Sequence, residues 1–214
     1  MRTFESMDEF KEYADRMARR YVFKITSYNE GYSIDVAGSV DLYNRNLTDG
    51  FPIKFNKITG DFLCYYNQLT SLEGCPKYVG CHFNCSCNQY LTSLEGCPEY
   101  VGGDFKCNHN RLISLKGCPE IINGNFYCDN NRLKNLKGSP VYVKEDYVCH
   151  NNYLVSLKGC PKYIDKGFYC QSNSSLKNLK GAPEIIRGEW HINDKFHSYP
   201  EYQKYLLVKK IEKL

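Results

Sequence analysis

The unit that decides the fold is residues 105–125, which read FKCNHNRLISLKGCPEIINGN, and it recurs with small changes through most of the chain. The aromatic residue that opens each unit returns every 21 or 22 positions. These aromatics are Phe62, Phe83, Phe105, Phe126, Tyr147, Phe168 and Trp190. A fixed period of this length is the signature of a repeat architecture in which each unit forms one coil. The sequence therefore predicts a solenoid.

Other positions of the unit recur in the same register. Two residues after each aromatic stand Cys64, Cys85, Cys107, Cys128, Cys149, Cys170 and Ile192, and five residues after the first six stand Asn67, Asn88, Asn110, Asn131, Asn152 and Asn173. Leucines follow at Leu69, Leu91, Leu112, Leu133, Leu154 and Leu176, and again at Leu72, Leu94, Leu115, Leu136, Leu157 and Leu179. Each unit closes with a Gly-x-Pro turn and then a β-branched residue: Val79, Val101, Ile122, Val143, Ile164 or Ile186.

The alternation aromatic-x-Cys is typical of a short strand that points both side chains inward, because successive strand residues face opposite sides. One coil cannot bury its apolar residues alone, so coils stack about 4.8 Å apart and equivalent residues form internal columns. A buried asparagine amide can bond to the backbone groups where the chain leaves the strand. We therefore expect a core of aromatic, cysteine and leucine columns with one column of asparagines.

The motif Phe-x-Cys-x-x-Asn-x-Leu resembles the core motif of leucine-rich repeats. Residues 72–80, LEGCPKYVG, resemble more narrowly the repeats of proteins encoded by tailed bacteriophages and some bacteria. The repeats cover about two thirds of the chain. This resemblance implies a leucine-rich-repeat-like solenoid with a parallel β-sheet on its concave face and an irregular convex side. It also implies binding, commonly of a protein, as the activity.

Both ends of a solenoid need a cover, because an open end exposes apolar columns and unpaired strand edges. Ser6-Met7-Asp8-Glu9 has the pattern of a helix capping box, and Ser198-Tyr199-Pro200-Glu201 marks a second helix start. We expect an N-terminal cap of a helix plus strand segments at residues 1–35, a solenoid of about seven to eight repeats at 36–193 and a C-terminal helical cap at 194–214. A degenerate first repeat is outlined by Val36, Val40, Leu42, Asn44 and Leu47. The alternative for the last segment is a dimerisation helix.

Composition excludes several classes of protein. At 214 residues, 42% of them hydrophobic and 24% charged, the chain has enough apolar material for a folded core. No apolar run is long enough to span a bilayer, and the first residues lack the apolar stretch of a secretory signal. We therefore expect a cytoplasmic protein without membrane contact, located in the host cytoplasm if a phage encodes it. The net charge of +4 is too small to indicate nucleic acid.

Twelve cysteines without an export signal indicate reduced thiols rather than a disulfide scaffold. Cys81, His82, Cys85 and Cys87 have the close spacing of a zinc site. However, Cys85 belongs to an internal column, and strand alternation sends His82 to the opposite face. We expect no metal and no cofactor, with free thiols packed as small apolar groups.

The outward residues of the strands provide the candidate binding surface. Rigid aromatic side chains with an adjustable polar border are typical of protein-binding sites. We call these residues the candidate patch: Tyr127, Val148, Tyr169, Lys106, Asp129 and His150. Asp129 beside His150 resembles half of a catalytic pair, but the cysteines point inward and no nucleophile is aligned with the two. We therefore expect no enzymatic activity.

A second candidate surface is a stripe of lysines at one turn position of successive units. We call it the basic edge: Lys116, Lys137, Lys158 and Lys180. Solvated lysines that limit aggregation are the simpler interpretation. The alternative interpretation is that the stripe binds an anionic partner.

Taken together, these features indicate a non-enzymatic protein that presents a repeat surface to a protein partner. If the resemblance to phage repeats holds, the partner is a host protein, and inhibition of host defence is one hypothesis. The alternative is a protein that sequesters a small anionic ligand such as a signalling nucleotide. A structural particle component is a third possibility.

Overall fold

The computed structural model describes residues 3–192, which form one helix followed by a β-solenoid of about eight turns. The predicted C-terminal cap at 194–214 lies outside the described residues. Within them, no helix has both the length and the apolarity that crossing a membrane would require.

The N-terminal helix α1 (Met7–Tyr21) forms where the capping pattern predicts it. Ser6 is the N-cap, and its Oγ accepts a hydrogen bond from the Glu9 N–H at 3.2 Å. Its apolar face is buried, and the residues that form this face are Phe10, Ala14, Met17 and Tyr21. The predicted N-terminal helix is therefore confirmed.

Short strands account for the rest of the regular structure, and most of them have only two residues. In chain order they are β1 (Lys24–Asn29), β2 (Ser33–Ala37), β3 (Val40–Asp41), β4 (Lys54–Ile58), β5 (Phe62–Leu63), β6 (Tyr78–Val79), β7 (Phe83–Asn84), β8 (Tyr100–Val101), β9 (Phe105–Lys106), β10 (Ile121–Ile122), β11 (Phe126–Tyr127), β12 (Tyr142–Val143), β13 (Tyr147–Val148), β14 (Tyr163–Ile164), β15 (Phe168–Tyr169), β16 (Ile185–Ile186) and β17 (Trp190–His191).

Eight of these strands form one parallel sheet, which we call the long sheet. Its order is β17-β15-β13-β11-β9-β7-β5-β3, so each coil adds one strand beside that of the preceding coil. Equivalent residues pair directly: Phe126 lies opposite Phe105 on one side and Tyr147 on the other. The register predicted from the period is confirmed. Coil stacking in register therefore decides which side chains become neighbours.

A second side of the coils also carries parallel strands, in contrast to the irregular convex side that the resemblance implied. Strands β10-β12-β14-β16 form one ladder, and β2-β4-β6-β8 form another, to which β1 adds an antiparallel strand. Between β8 and β10 the ladder is interrupted, and the Asn123 side-chain amide donates to the Val101 carbonyl across the gap at 3.3 Å. Because the coils stack regularly, strands of successive coils also pair on this second side.

The core consists of the predicted internal columns. From Phe62 to Phe168 the aromatic column has no exposed surface, and its neighbouring ring centroids lie 4.9 to 6.2 Å apart. The cysteine column from Cys64 to Cys170 is equally buried. Each buried aromatic or aliphatic side chain contributes about 1.5–3 kcal/mol relative to exposure. These apolar columns therefore supply the main stabilisation of the stack.

The asparagine column links each coil to the one before it. The Asn131 Nδ2 donates to the carbonyl of Cys128 in its own coil and to that of Cys107 in the preceding coil, at 3.1 and 3.0 Å. Its Oδ1 accepts the Leu112 N–H at 2.9 Å. The same pattern recurs at Asn88, Asn152 and Asn173. The predicted role of this column, hydrogen bonding to backbone at the turn, is confirmed. Asn44 of the first coil does not join the column, because it is exposed and has a left-handed backbone.

The Gly-x-Pro turns bring the backbones of neighbouring coils into close contact. Gly138 has a φ of +87°, and a Cβ added there would lie 2.5 Å from the backbone nitrogen of Lys116. A left-handed conformation and missing side-chain volume are both needed at this position. The repeated glycine therefore sets the distance between coils.

Candidate functional site

The three apolar members of the candidate patch lie side by side on the outward face of the long sheet. Tyr127 of β11 pairs with Val148 of β13, which pairs with Tyr169 of β15. All three are half-buried, whereas the residues that precede them in the same strands are fully buried. Three consecutive coils thus present one continuous surface of two tyrosines and a valine.

Tyr169 is held in a defined orientation by the neighbouring coil. Its ring stacks on His191 with centroids 4.9 Å apart and an interplanar angle of 7°. Its hydroxyl donates to Glu189 Oε2 at 3.1 Å. The ring also lies over Gly167, where an added Cβ would come within 2.4 Å of the ring carbon Cε2. The glycine at 167 therefore provides the room that this orientation needs.

Carboxylates surround Tyr127. Partial burial and the nearby charges of Asp104, Asp146 and Asp129 raise the pKa of the Tyr127 hydroxyl. Lys106 is the basic member of the patch, and its Nζ lies 5.3 Å from the centroid of the Tyr127 ring and 3.5 Å from Asp104. The ammonium group is therefore already engaged by an aromatic face and a carboxylate. The surroundings of Tyr127 are acidic.

Asp129 and His150, the remaining members of the patch, lie on neighbouring coils. Their nearest charged atoms, Asp129 Oδ2 and His150 Nε2, are 3.9 Å apart, which is too long for a hydrogen bond. Asp129 is only 5% exposed and accepts a hydrogen bond from the Asn130 side chain at 2.6 Å. An open depression of about 430 Å³ lies beside them, lined by Val148, His150, Tyr169, Gln171 and Ser172. His150, but not Asp129, lines this depression.

A ladder of polar side chains flanks the other side of the long sheet, and sequence reasoning missed its role. Each side chain accepts the backbone N–H of the residue at the equivalent position in the next coil, at 2.8 to 3.0 Å, and the acceptors are Ser39, Asp61, His82, Asp104, Asn125 and Asp146. Burial alone would raise the pKa of Asp104, but hydrogen bonds from Asn125 and the charges of Lys106 and His82 lower it. The recurrence of a short polar acceptor was the available signal. This ladder is structural, and it places carboxylates next to the patch.

A second aromatic cluster lies nearer the N-terminal end of the long sheet and also escaped sequence reasoning. Tyr43 and Tyr65 stack with centroids 4.5 Å apart, and Tyr66 meets both at 5.8 and 5.9 Å. Tyr43 and Tyr66 are 42% and 57% exposed. The cluster forms because the first coils place tyrosines just after their strands. It adds to the aromatic surface of the same face.

The basic edge lies on the turns, away from the patch. Lys116 forms an ion pair with Glu95 at 2.9 Å. Lys137, Lys158 and Lys180 are exposed and form no ion pair with any residue between positions 3 and 192. Three exposed lysines without an ion pair in the described part of the chain therefore follow one another in consecutive coils.

The cysteines are free thiols, and most are inaccessible. Burial raises the pKa of the Cys97 thiol to about 12 and that of Cys85 well above its usual range. Cys85 lies in the core, while Cys81 and His82 are exposed, so these three residues do not converge. In the described part of the chain, no three histidine, cysteine or acidic side chains lie close enough together to hold a metal ion.

The fold defines the chain as a β-solenoid repeat protein with an acidic, tyrosine-bearing sheet face. Comparison of the sequence and structure with known protein families, with curated proteins and with solved structures gave no match.

Proposed function

We propose that this chain is a non-enzymatic binding protein that engages a protein partner through the candidate patch. The observation that carries the proposal is the set of Tyr127, Val148 and Tyr169 on three adjacent coils, with Tyr169 fixed by stacking and by its hydroxyl bond. Aromatic side chains held in place lose little conformational entropy on binding. The resemblance to phage repeats makes a bacterial host protein the first partner to test, including one that acts in defence.

The charges around the patch indicate what its partner presents. Partial burial and the nearby charges of Asp104, Asp146 and Asp129 raise the pKa of Tyr127, and Lys106 is already engaged by Asp104. An anionic ligand would meet repulsion here, whereas a lysine or arginine would be attracted. We therefore propose a partner with a basic or neutral surface, and binding that weakens as salt is added.

The absence of catalysis is part of this proposal. Asp129 and His150 are not hydrogen-bonded to each other. The cysteines of the internal column are buried and out of reach of a substrate, and burial raises the thiol pKa of Cys85 and Cys107, so these two are poor nucleophiles. The other side chains on the outward face of the long sheet are suited to binding a partner rather than to catalysis.

A capture experiment with matched variants tests the proposal. Immobilised wild-type protein should retain a specific protein from bacterial lysate, and the double variant Tyr127→Ala with Tyr169→Ala should lose it. Tyr153→Ala is the control, because Tyr153 is 58% exposed and lies off the long sheet. Equal retention by all three proteins would contradict the proposal.

The basic edge favours the second candidate function, the binding of a small anionic ligand. Lys137, Lys158 and Lys180 have no acidic partner in the range 3–192, and their charges lie on adjacent coils. A bound anion would relieve their mutual repulsion and raise the melting temperature. The test is to measure the melting temperatures of the wild type and of Lys158→Gln with each member of a panel of nucleotides. A nucleotide that binds the edge should stabilise the wild type more than the variant. No stabilisation, or equal stabilisation of both proteins, would count against the edge as a site.

A further inference from the structure

The second side of the solenoid carries an exposed apolar stripe that neither the sequence pattern nor the proposed function uses. Successive coils place one large side chain each on its outer face, and we call these residues the outer stripe: Tyr78, Tyr100, Ile121, Tyr142, Tyr163 and Ile185. Five of the six are 37% to 55% exposed. Tyr78 and Tyr100 stack with centroids 4.7 Å apart. Exposed large apolar side chains gathered on one face in this way mark an interaction surface.

A row of six residues, five of them charged, runs directly beside the outer stripe, one position earlier in each coil. We call it the charged row: Lys77, Glu99, Glu120, Val141, Lys162 and Glu184. All six residues are exposed. Lys77 and Glu99 approach each other only to 4.0 Å, as do Lys162 and Glu184, and these side chains are 60% to 76% exposed. Most of the surface of these four side chains is therefore in contact with solvent.

The order of charges along this row is +, −, −, 0, +, −. A two-fold axis that lies in the interface, along the strands, brings each row against its own copy in reverse order. Lys77 then faces the partner copy of Glu184, Glu99 faces that of Lys162, and Glu120 faces that of Val141. Four opposite-charge contacts form across the axis and no like charges meet. The row is thus complementary to itself.

We propose that the outer stripe is the interface of a two-fold symmetric homodimer in which two solenoids pack antiparallel, face to face. The same operation sets Tyr78 against Ile185, Tyr100 against Tyr163 and Ile121 against Tyr142, so that larger side chains meet smaller ones at two of the three contacts. Two sheets pack face to face about 10 Å apart. The long sheet and its candidate patch stay free in this dimer.

The expected affinity is modest. Six coils at about 4.8 Å per coil give a stripe roughly 25 Å long and a few side chains wide, which is at the small end of specific interfaces. The apolar stripe supplies the binding free energy, and the charged row selects the antiparallel register. The dimer should therefore form and dissociate with concentration in the micromolar range.

Charge exchange provides the decisive test, measured by sedimentation equilibrium over roughly 10–1,000 µM protein. Glu99→Lys and Lys162→Glu should each weaken the dimer about tenfold, because each places like charges opposite one another at two symmetry-related contacts. The double variant Glu99→Lys with Lys162→Glu should recover most of the lost affinity. Within one chain, each single variant disrupts one of the two weak ion pairs of the row, and the double variant disrupts both. If these charges acted only within the monomer, the double variant would therefore have a larger effect than either single variant.

Ile121→Asp is the second variant, since Ile121 lies next to the proposed axis and is 55% exposed in one chain. It should abolish the dimer while leaving the circular dichroism spectrum unchanged. A wild-type protein that stays monomeric over the whole concentration range would overturn the proposal. A dimer that the double variant does not restore, or that Ile121→Asp leaves intact, would overturn it as well.

Discussion

Phe126 and Tyr127 are neighbours in the same two-residue strand, yet they belong to different parts of the molecule. Phe126 points inward, is fully buried and repeats as an aromatic in every coil from Phe62 to Trp190. Tyr127 points outward, and its column changes from Leu63 through Lys106 to Val148. Stacking in register explains the difference, because an interior column needs side chains of one shape, whereas the outer face is limited only by solvent and by what it binds.

The comparison also separates two kinds of polar residue. Asparagine side chains inside the coil form hydrogen bonds with backbone groups that water cannot reach. Every coil from Asn67 to Asn173 therefore has one. Polar residues on the outer face differ in type and charge from coil to coil, as His82, Asp104 and Asn125 do at one position. Stability should therefore depend on the interior and recognition on the exterior, and each substitution below tests one side of that division.

Truncating the interior aromatic should have the largest effect. Phe126→Ala removes a fully buried ring from a continuous column, and we expect a loss of about 4 kcal/mol in the free energy of unfolding. Tyr127→Ala, one residue later, should cost less than about 1 kcal/mol. Denaturant unfolding of both variants measures the contrast. Similar losses of unfolding free energy in the two variants would contradict the placement of Phe126 in the core and Tyr127 on the surface.

Removal of one asparagine should come next. Asn131→Ala leaves the buried Leu112 N–H without its acceptor and removes one of the two amide donors to the Cys107 carbonyl, which keeps that of Asn110. We expect a loss of about 3 kcal/mol in the free energy of unfolding. Asn108→Ala is the matched control on the outer face and should change stability by less than about 0.5 kcal/mol. The same unfolding measurement applies. A tolerated Asn131→Ala would refute the role of the column.

Two glycines with the same backbone conformation sharpen the comparison between crowded and open positions. Gly138 and Gly38 have φ values of +87° and +85°, but only Gly138 has atoms of the preceding coil within 4 Å of an added Cβ. Gly38→Ala should cost about 1 kcal/mol for its left-handed backbone alone. Gly138→Ala should cost about 1 kcal/mol more, because coils must also move apart. Thermal melts that rank them equally would argue against coil contact at the turn.

The smallest effect should be a gain at the residue before each buried asparagine. His109 has a left-handed backbone with a φ of +55°, and the equivalent positions in the next two coils are Asn130 and Asn151. Asparagine tolerates this conformation better than histidine, so His109→Asn should stabilise the protein by about 0.5 kcal/mol. His150→Asn, at a position without positive φ, is the control and should give no gain. A loss of stability in His109→Asn would contradict this interpretation.

The repeat, the internal columns and the N-terminal helix could be predicted from the sequence, because each is set by a periodic or local pattern. The parallel strands on the second side could not be predicted, because a two-residue strand has no periodicity of its own. The pattern indicates the buried Val79 but gives no role to the exposed Tyr78 before it. The pairing of these strands follows from coil stacking, which only the three-dimensional structure shows.

The candidate patch was predictable as a set of neighbours, since register alone places Tyr127, Val148 and Tyr169 together. Its electrostatics were not. Asp104 and Asp146 come close to Tyr127 while serving as acceptors for the backbone of the next coil, and Tyr169 leans over Gly167. The first two contacts join residues about one coil apart and the third joins residues of the same coil, and all three depend on side-chain geometry that no spacing rule encodes.

Site-resolved alkylation of the native protein tests the in-register stack most directly. Peptide mapping by mass spectrometry gives the labelling rate of each of the twelve cysteines. We predict rapid labelling of the exposed Cys81, and labelling of Cys64, Cys85, Cys107, Cys128, Cys149 and Cys170 only at the rate of unfolding. Rapid labelling of the column cysteines in the folded protein would contradict the inward-facing register on which the fold, the candidate patch and the outer stripe all depend.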